Sequence, residues 1–281
     1  MVKKRITITV EEDLLKKIDL LSEEGVLGRN RSNVIENVLM QNLNKPLTTA
    51  IILAGGKGTR LRPLTYEIPK PLVPIKGKPI LYHTLEELKR NGIENVIIAA
   101  GYKADSVIKA LGDGDKFGLN ISYSVENRPL GTGGGLRKAC DLVKDFPVLV
   151  INGDNLFHMD IPSFFKFHSS AKLSSEVIGT IALTTVEDTT GYGVVELEGS
   201  KIKKFYEKPE RKPKSKLINT GIYIAEKELV EMIPRNKFFS IEKQLFEKLA
   251  EQDKLAGYIF NGPWYPTDTF ERYELAIKKW K

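Results

Sequence analysis

Residues 48–75, TTAIILAGGKGTRLRPLTYEIPKPLVPI, constrain this chain more than any other stretch. The run Ala50, Ile51, Ile52, Leu53 is apolar without alternation and too short for a helix. It predicts a strand buried on both faces of a parallel sheet. Gly55, Gly56 and Gly58 follow at once. Glycines at the carboxyl end of a buried strand let the backbone approach a ligand closely and turn its N–H groups toward an anion. Arg60, Arg62 and Lys70 add three cations, the last between two prolines. Backbone donors plus three cations predict a polyanionic ligand. The spacing is neither GxxxxGK[ST] nor a full GxGxxG, so neither the P-loop nor the dinucleotide fingerprint applies.

The order of the fixed positions is more specific than the glycines alone. Leu53-Ala54-Gly55-Gly56-x-Gly58-Thr59-Arg60-Leu61, then Pro63-Leu64-Thr65, then Pro69-Lys70-Pro71, resembles the signature of the sugar-1-phosphate nucleotidyltransferases, or nucleotide-sugar pyrophosphorylases. The resemblance implies that Leu53, Ala54, Gly55, Gly56, Gly58 and Thr59 bind the nucleotide. It also implies that Arg60 holds the triphosphate and that Lys70 steadies the transferred phosphate or the leaving pyrophosphate.

Beyond this loop, strands alternate with helices. Residues 79–90 read as a helix ended by Asn91-Gly92, 96–100 as a buried strand, 104–111 as a helix, 121–125 and 148–151 as strands. That alternation predicts an α/β, doubly wound, mainly parallel mixed sheet of Rossmann-like nucleotidyltransferase type, with ligands at the carboxyl ends of the strands. A second glycine loop, Glu126-Asn127-x-Pro129-Leu130-Gly131-Thr132-Gly133-Gly134-Gly135, joins a strand to a helix. By the same resemblance Glu126, Gly131 and Thr132 hold the nucleobase and ribose. Residues 193–197 and 202–206 read as antiparallel strands around Gly199-Ser200. The resemblance puts Gly193, Glu207, Lys208, Asn219 and Thr220 on the sugar-phosphate side, with Lys208 neutralising the phosphate and Glu207 bonding sugar hydroxyls.

Asn152-Gly153-Asp154-Asn155 directly follows an apolar strand. A carboxylate at a strand end beside phosphates suits Mg2+, which takes one or two carboxylates together with phosphate oxygens and water. Asp154 also matches the family's metal-binding Gly-Asp. The second metal position departs from the common pattern. Many relatives read Trp-x-Asp-x-Gly-Thr, whereas here Trp264-Tyr265-Pro266-Thr267-Asp268-Thr269 has proline in that place and a carboxylate two residues on. This variant is similar to the glucose-1-phosphate cytidylyltransferase branch, which implies a metal role for Asp268 and tilts the base toward cytosine. The rest of the chain is equally compatible with thymidylyl, uridylyl or guanylyl transfer.

The first 44 residues belong to a different pattern. Ile6, Ile8 and Val10 alternate with Arg5, Thr7 and Thr9, as in a strand with two unlike faces. Leu14, Ile18 and Leu21 then share a helical face that Gly25 ends, and a second helix starts at Arg31-Ser32 with Ser32 as N-cap. Strand, helix, helix over residues 3–43 resembles the ribbon-helix-helix family. That resemblance implies a dimer, or a higher even-numbered oligomer, in which two strands pair. It would aim Arg5, Thr7 and Thr9 at base edges of double-stranded DNA and the amide end at Ser32 at a phosphate. The same fold can serve purely as an assembly clamp. Residues 1–44 carry seven Lys/Arg and seven Asp/Glu, so they add nothing to the chain's net +7. The predicted organisation is a ribbon-helix-helix domain over 1–44, a linker over 45–48 and a nucleotidyltransferase domain over 49–281.

Composition limits the alternatives. No apolar run approaches a membrane span, and the alternating N-terminus is no signal peptide. Cys140 is the single cysteine, which excludes an internal disulfide and suits a reducing cytoplasm. His83, His158 and His168 read as packing or surface residues. The expected activity is Mg2+-dependent nucleotidyl transfer from an NTP to a sugar 1-phosphate. A transcription regulator that senses a nucleotide-sugar is the competing expectation.

Overall fold

The computed structural model describes residues 4, 6–25, 28–43, 46–211 and 213–281. Its centre is a nine-stranded sheet whose first half is parallel. Thr49–Ala54 lies between Asn95–Ala100 and Val148–Asn152, and Asn120–Val125 forms the outer edge. The chain winds outward through two strands and then returns to the other side of Thr49–Ala54. The carboxyl end of that strand is therefore the topological switch point, where ligands bind in open α/β sheets. The glycine loop begins there.

Beyond Val148–Asn152 the sheet is mixed. Leu217–Ala225 runs antiparallel to Val148–Asn152 and to Gly179–Thr185, while Leu255–Ile259 runs parallel to Gly179–Thr185. The hairpin Gly193–Glu198 and Lys201–Glu207 closes the far side. Parallel winding thus governs the first four strands, and the later elements fold back to build the remaining wall of the site.

The central strand is buried on both faces, as its uninterrupted apolar run requires. Ile52 packs with Leu85, Ile98 and Phe164 on one side, and Ile51 packs with Val150, Tyr223 and Phe246 on the other. A smaller cluster of Val73, Ile75, Ile80, Leu156 and Trp280 ties the C-terminal helix Phe270–Lys279 to the segment just after the first loop.

At the N-terminus, Glu12–Glu23 and Arg31–Leu43 are helices, joined by an Arg31–Asp19 ion pair at 2.5 Å. The second helix is not capped by Ser32. Asn30 is the cap, its side-chain oxygen accepting the Asn33 N–H at 2.9 Å, and Ser32 falls inside the first turn. An Asn one residue before the first helical position has the reach that Ser32 lacks. Residues 6–10 join no ladder in this single chain, where the described residues supply no partner strand. Ile6 and Ile8 are 71% and 49% exposed. Arg5 lies outside the described residues. Among those residues no helix is long and apolar enough to cross a membrane.

Candidate active site

The carboxyl ends of the central strands open into two adjoining cavities of about 420 and 480 Å3. Leu53, Ala54, Gly55, Gly56, Gly58 and Thr59 line the first, opposite Glu126, Gly131 and Thr132. Gly193, Glu207, Lys208, Asn219 and Thr220 line the second. Arg60, Asp154 and Asp268 face both. Every residue predicted for the nucleotide, the sugar phosphate or the metal therefore meets in one continuous cleft. Thr7, Thr9 and Ser32 lie apart from it, exposed on the N-terminal segment.

Close approach explains several glycines of the cleft. Gly58 is left-handed at φ +62, and a Cβ there would lie 2.9 Å from Thr65 Cγ2. The Glu126 carboxylate is wedged between the two loops: a Cβ at Gly55 would be 3.3 Å from it and one at Gly135 only 2.5 Å. Glu126 accepts the Leu130 N–H at 3.1 Å. Burial pushes its carboxyl above the usual range, against the opposing pull of that N–H and of Lys138.

Two acids and three cations form the centre. Lys70 donates to Asp154. Arg60 and Arg272 donate to the two oxygens of Asp268 at 2.5 and 2.8 Å. Burial pushes the Asp268 carboxyl up, but the Arg272 hydrogen bond and the charges of Arg272, Arg60 and Lys70 outweigh it and hold it below its ordinary value. Lys70 thus serves both acids, which are also joined through Thr267, whose N–H reaches the Asp154 carbonyl at 2.9 Å. A pair of carboxylates facing the first glycine loop fits Mg2+, which needs no more than two protein carboxylates when phosphate and water complete its shell. Among the described residues no group of three or more His, Cys, Asp or Glu gathers to hold a metal by itself.

In the second cavity, burial and the like charge of Glu242 raise the Glu207 carboxyl, with Lys208 opposing. Asn219 Nδ2 donates to Tyr223 Oη at 3.1 Å, and Thr220 Oγ1 donates to the Ala182 carbonyl at 2.7 Å. Asn155, next to Asp154, is buried and donates to the Thr220 carbonyl at 2.8 Å, tying the two strand ends together.

Several lining residues gave no sequence signal. Glu242 accepts the Thr132 hydroxyl at 2.6 Å across 110 residues of chain. Arg272 stacks 3.9 Å over the Tyr192 ring while holding Asp268. Asn152 faces both cavities, and its side-chain oxygen is buried without a hydrogen-bond partner among the described residues. Phe238 lines both cavities as well. The buried Asn152 acceptor was legible only as part of the Asn-Gly-Asp string; the others sit in stretches with no motif. The histidines stay outside the cleft: His168 bonds Thr180 and Glu226, and His158 bonds Glu87. Cys140 is buried and its thiol is pushed up to about 12, as a packing residue should be.

The nucleotidyl transferase family model matches residues 49–280. A mannose-1-phosphate guanylyltransferase of Mycobacterium tuberculosis is 37% identical over 227 residues, 80% of this chain and 62% of that protein. A D-glycero-alpha-D-manno-heptose 1-phosphate guanylyltransferase of Aneurinibacillus thermoaerophilus is 38% identical over 230 residues, covering 82% of this chain and 97% of the relative. The crystal structure of HddC from Yersinia pseudotuberculosis superposes with a TM-score of 0.71 at 31% identity, over 84% of this chain and all of that one.

Proposed function

This chain belongs to the nucleotidyl transferase family, and from that premise we propose that it transfers a guanylyl group from GTP to a sugar 1-phosphate of the manno series, releasing pyrophosphate. The observation that carries the reading is the convergence of both glycine loops, Asp154, Asp268 and the Glu207–Lys208 pair on one cleft. A phosphate oxygen of the sugar 1-phosphate attacks the α-phosphorus in line, and the bond to the pyrophosphate oxygen breaks. No protein nucleophile is needed, and catalysis is positioning plus charge stabilisation.

Arg60 and the backbone at Gly55, Gly56 and Gly58 hold the triphosphate, and Lys70 steadies the transferred or leaving phosphate. In exchanging Asp268 and Asp154 for phosphate oxygens, Arg60 and Lys70 free the carboxylate oxygens they hold, while Arg272 keeps its bond to Asp268. Those carboxylates are the residues that would hold Mg2+, which would supply positive charge to offset the charge developing on the phosphates. Lys208 takes the sugar phosphate, while Glu207 and Asn219 take hydroxyls.

Guanine is favoured because the relatives are named for guanylyl transfer and because Glu126 offers a carboxylate acceptor between the loops. Guanine presents N–H donors on that edge, including its N2 amino group. The tilt toward cytosine rested on the carboxylate at Asp268, which concerns the metal and does not touch the base. Pyrophosphate release across four triphosphates and several hexose and heptose 1-phosphates is the test. GTP with mannose 1-phosphate or the heptose analogue should lead, and equal rates with CTP would sink the guanylyl assignment.

The N-terminal segment is read as a dimerising ribbon-helix-helix unit because Ile6 and Ile8 are exposed where a second copy's strand would cover them. DNA contact through Arg5, Thr7 and Thr9, expected opposite that apolar face, and through Ser32 is a further role proposed for the same unit. Salt-dependent binding to duplex DNA, absent after removal of residues 1–44, would support it.

A further inference from the structure

Residues 236–242 are fastened to the second glycine loop from both sides. Phe239 N–H donates to the Leu130 carbonyl at 2.8 Å, and Gly133 N–H donates back to the Phe239 carbonyl at 2.9 Å. Arg128 holds the Asn236 carbonyl at 2.7 Å. Thr132 accepts the Ile241 N–H at 3.1 Å while donating to Glu242. The segment therefore presents its side chains from a fixed frame. Asn236, Lys237 and Phe238 face outward, and Phe238 is the apolar one, 67% exposed with its ring edge over Gly131, where a Cβ would lie 3.3 Å from Cε2.

A lone exposed apolar side chain is ordinary on a protein surface. This one differs in standing on the shared lip of both cavities, fastened to the loop predicted to hold the nucleobase and ribose. The other rings lining the sugar-side cavity are engaged: Tyr192 lies under Arg272, and Trp264 donates its indole N–H to the Thr220 carbonyl at 3.1 Å. Among the described residues Phe238 has no ring or cation partner. A pyranose has a hydroxyl rim and a C–H face. Glu207, Lys208 and Asn219 serve the rim and the phosphate, and the C–H face fits an apolar surface, for which Phe238 is the exposed ring on the lip while Trp264 and Pro266 sit half-buried in the wall.

Resting on the nucleotidyl-transfer reading, we propose that Phe238 is a substrate-binding residue that covers the C–H face of the acceptor sugar and so selects a pyranose 1-phosphate. It acts on the sugar and not on the guanosine half of the site.

The test compares GDP with GDP-mannose by calorimetry on the full chain, alongside separate KM values for GTP and mannose 1-phosphate. Phe238→Ala should weaken GDP-mannose at least fivefold, leave GDP within twofold, and raise the KM of mannose 1-phosphate but not of GTP. Phe238→Tyr should restore all four values. Equal weakening of GDP and GDP-mannose would assign the ring to the nucleotide and overturn the proposal. No change in either ligand would overturn it too. Wild-type protein that binds GDP-mannose better than GDP yet turns over no substrate pair would count against the activity, while the binding ratio still decides Phe238. Wild-type protein that binds GDP-mannose no better than GDP would end the proposal.

Discussion

Thr267 donates both its backbone N–H and its hydroxyl to the carbonyl oxygen of Asp154, each at 2.9 Å, across 113 residues of sequence. Thr267 is fully buried. This pair of hydrogen bonds fixes Asp268, the next residue, beside Asp154. Asp154→Asn and Asp268→Asn should each lower kcat at least a hundredfold, because each removes a charge that phosphate chemistry uses. Circular dichroism should be unchanged. Near wild-type pyrophosphate release in either variant would remove that acid from the mechanism.

Arg60 contacts Asp268 and Lys70 contacts Asp154. Arg60→Ala and Lys70→Ala should each reduce turnover at least tenfold with folding intact. Thermal unfolding with and without GTP reads the effect independently of turnover, since ligand that binds only the folded state raises Tm. The Tm gain from GTP should shrink in both variants.

Glu126 sets a direct test of base choice. Glu126→Gln replaces an acceptor-only carboxylate by an amide that can donate or accept. The preference for GTP over UTP in kcat/KM should fall by about tenfold, the order of one lost base-specific contact pair. An unchanged preference would move base recognition elsewhere in the loop.

Glu207 has a carboxyl raised by burial and by the nearby Glu242. A raised folded-state value means that ionisation costs stability. The cost is absent below the ordinary glutamate range, where both states are protonated, and grows as pH rises through the raised folded value. Glu207→Gln should therefore raise Tm at neutral pH and give no gain in acid. A gain that persists at the acid end would show that packing, not charge, is responsible.

Exposed Ile6 and Ile8 give the assembly prediction. Light scattering should find an even-numbered oligomer for the full chain. Ile6→Lys combined with Ile8→Lys should shift it toward a smaller species while leaving specific activity in place. A monomeric wild-type chain would remove the dimerising role from the N-terminal segment.

Local chemistry was readable in the chain itself. An apolar run too short for a helix had to be a buried strand, and the glycines after it signalled close approach of backbone, as at Gly55 beside Glu126 and Gly58 beside Thr65. A carboxylate after an apolar strand had to lie at a strand end, as Asp154 does. These follow from neighbours within a few residues. Even here, Asn30 took the cap expected of Ser32, because the choice between adjacent capping side chains turns on where the first helical turn begins. Only the tertiary structure brought Glu242 to Thr132, Arg60 to Asp268 and Phe238 to the lip of both cavities. Those contacts depend on strand order and on how the later antiparallel strands fold back. Pairings across a hundred residues leave no periodicity in the sequence, since the partner of a charge is chosen by the packing that delivers it.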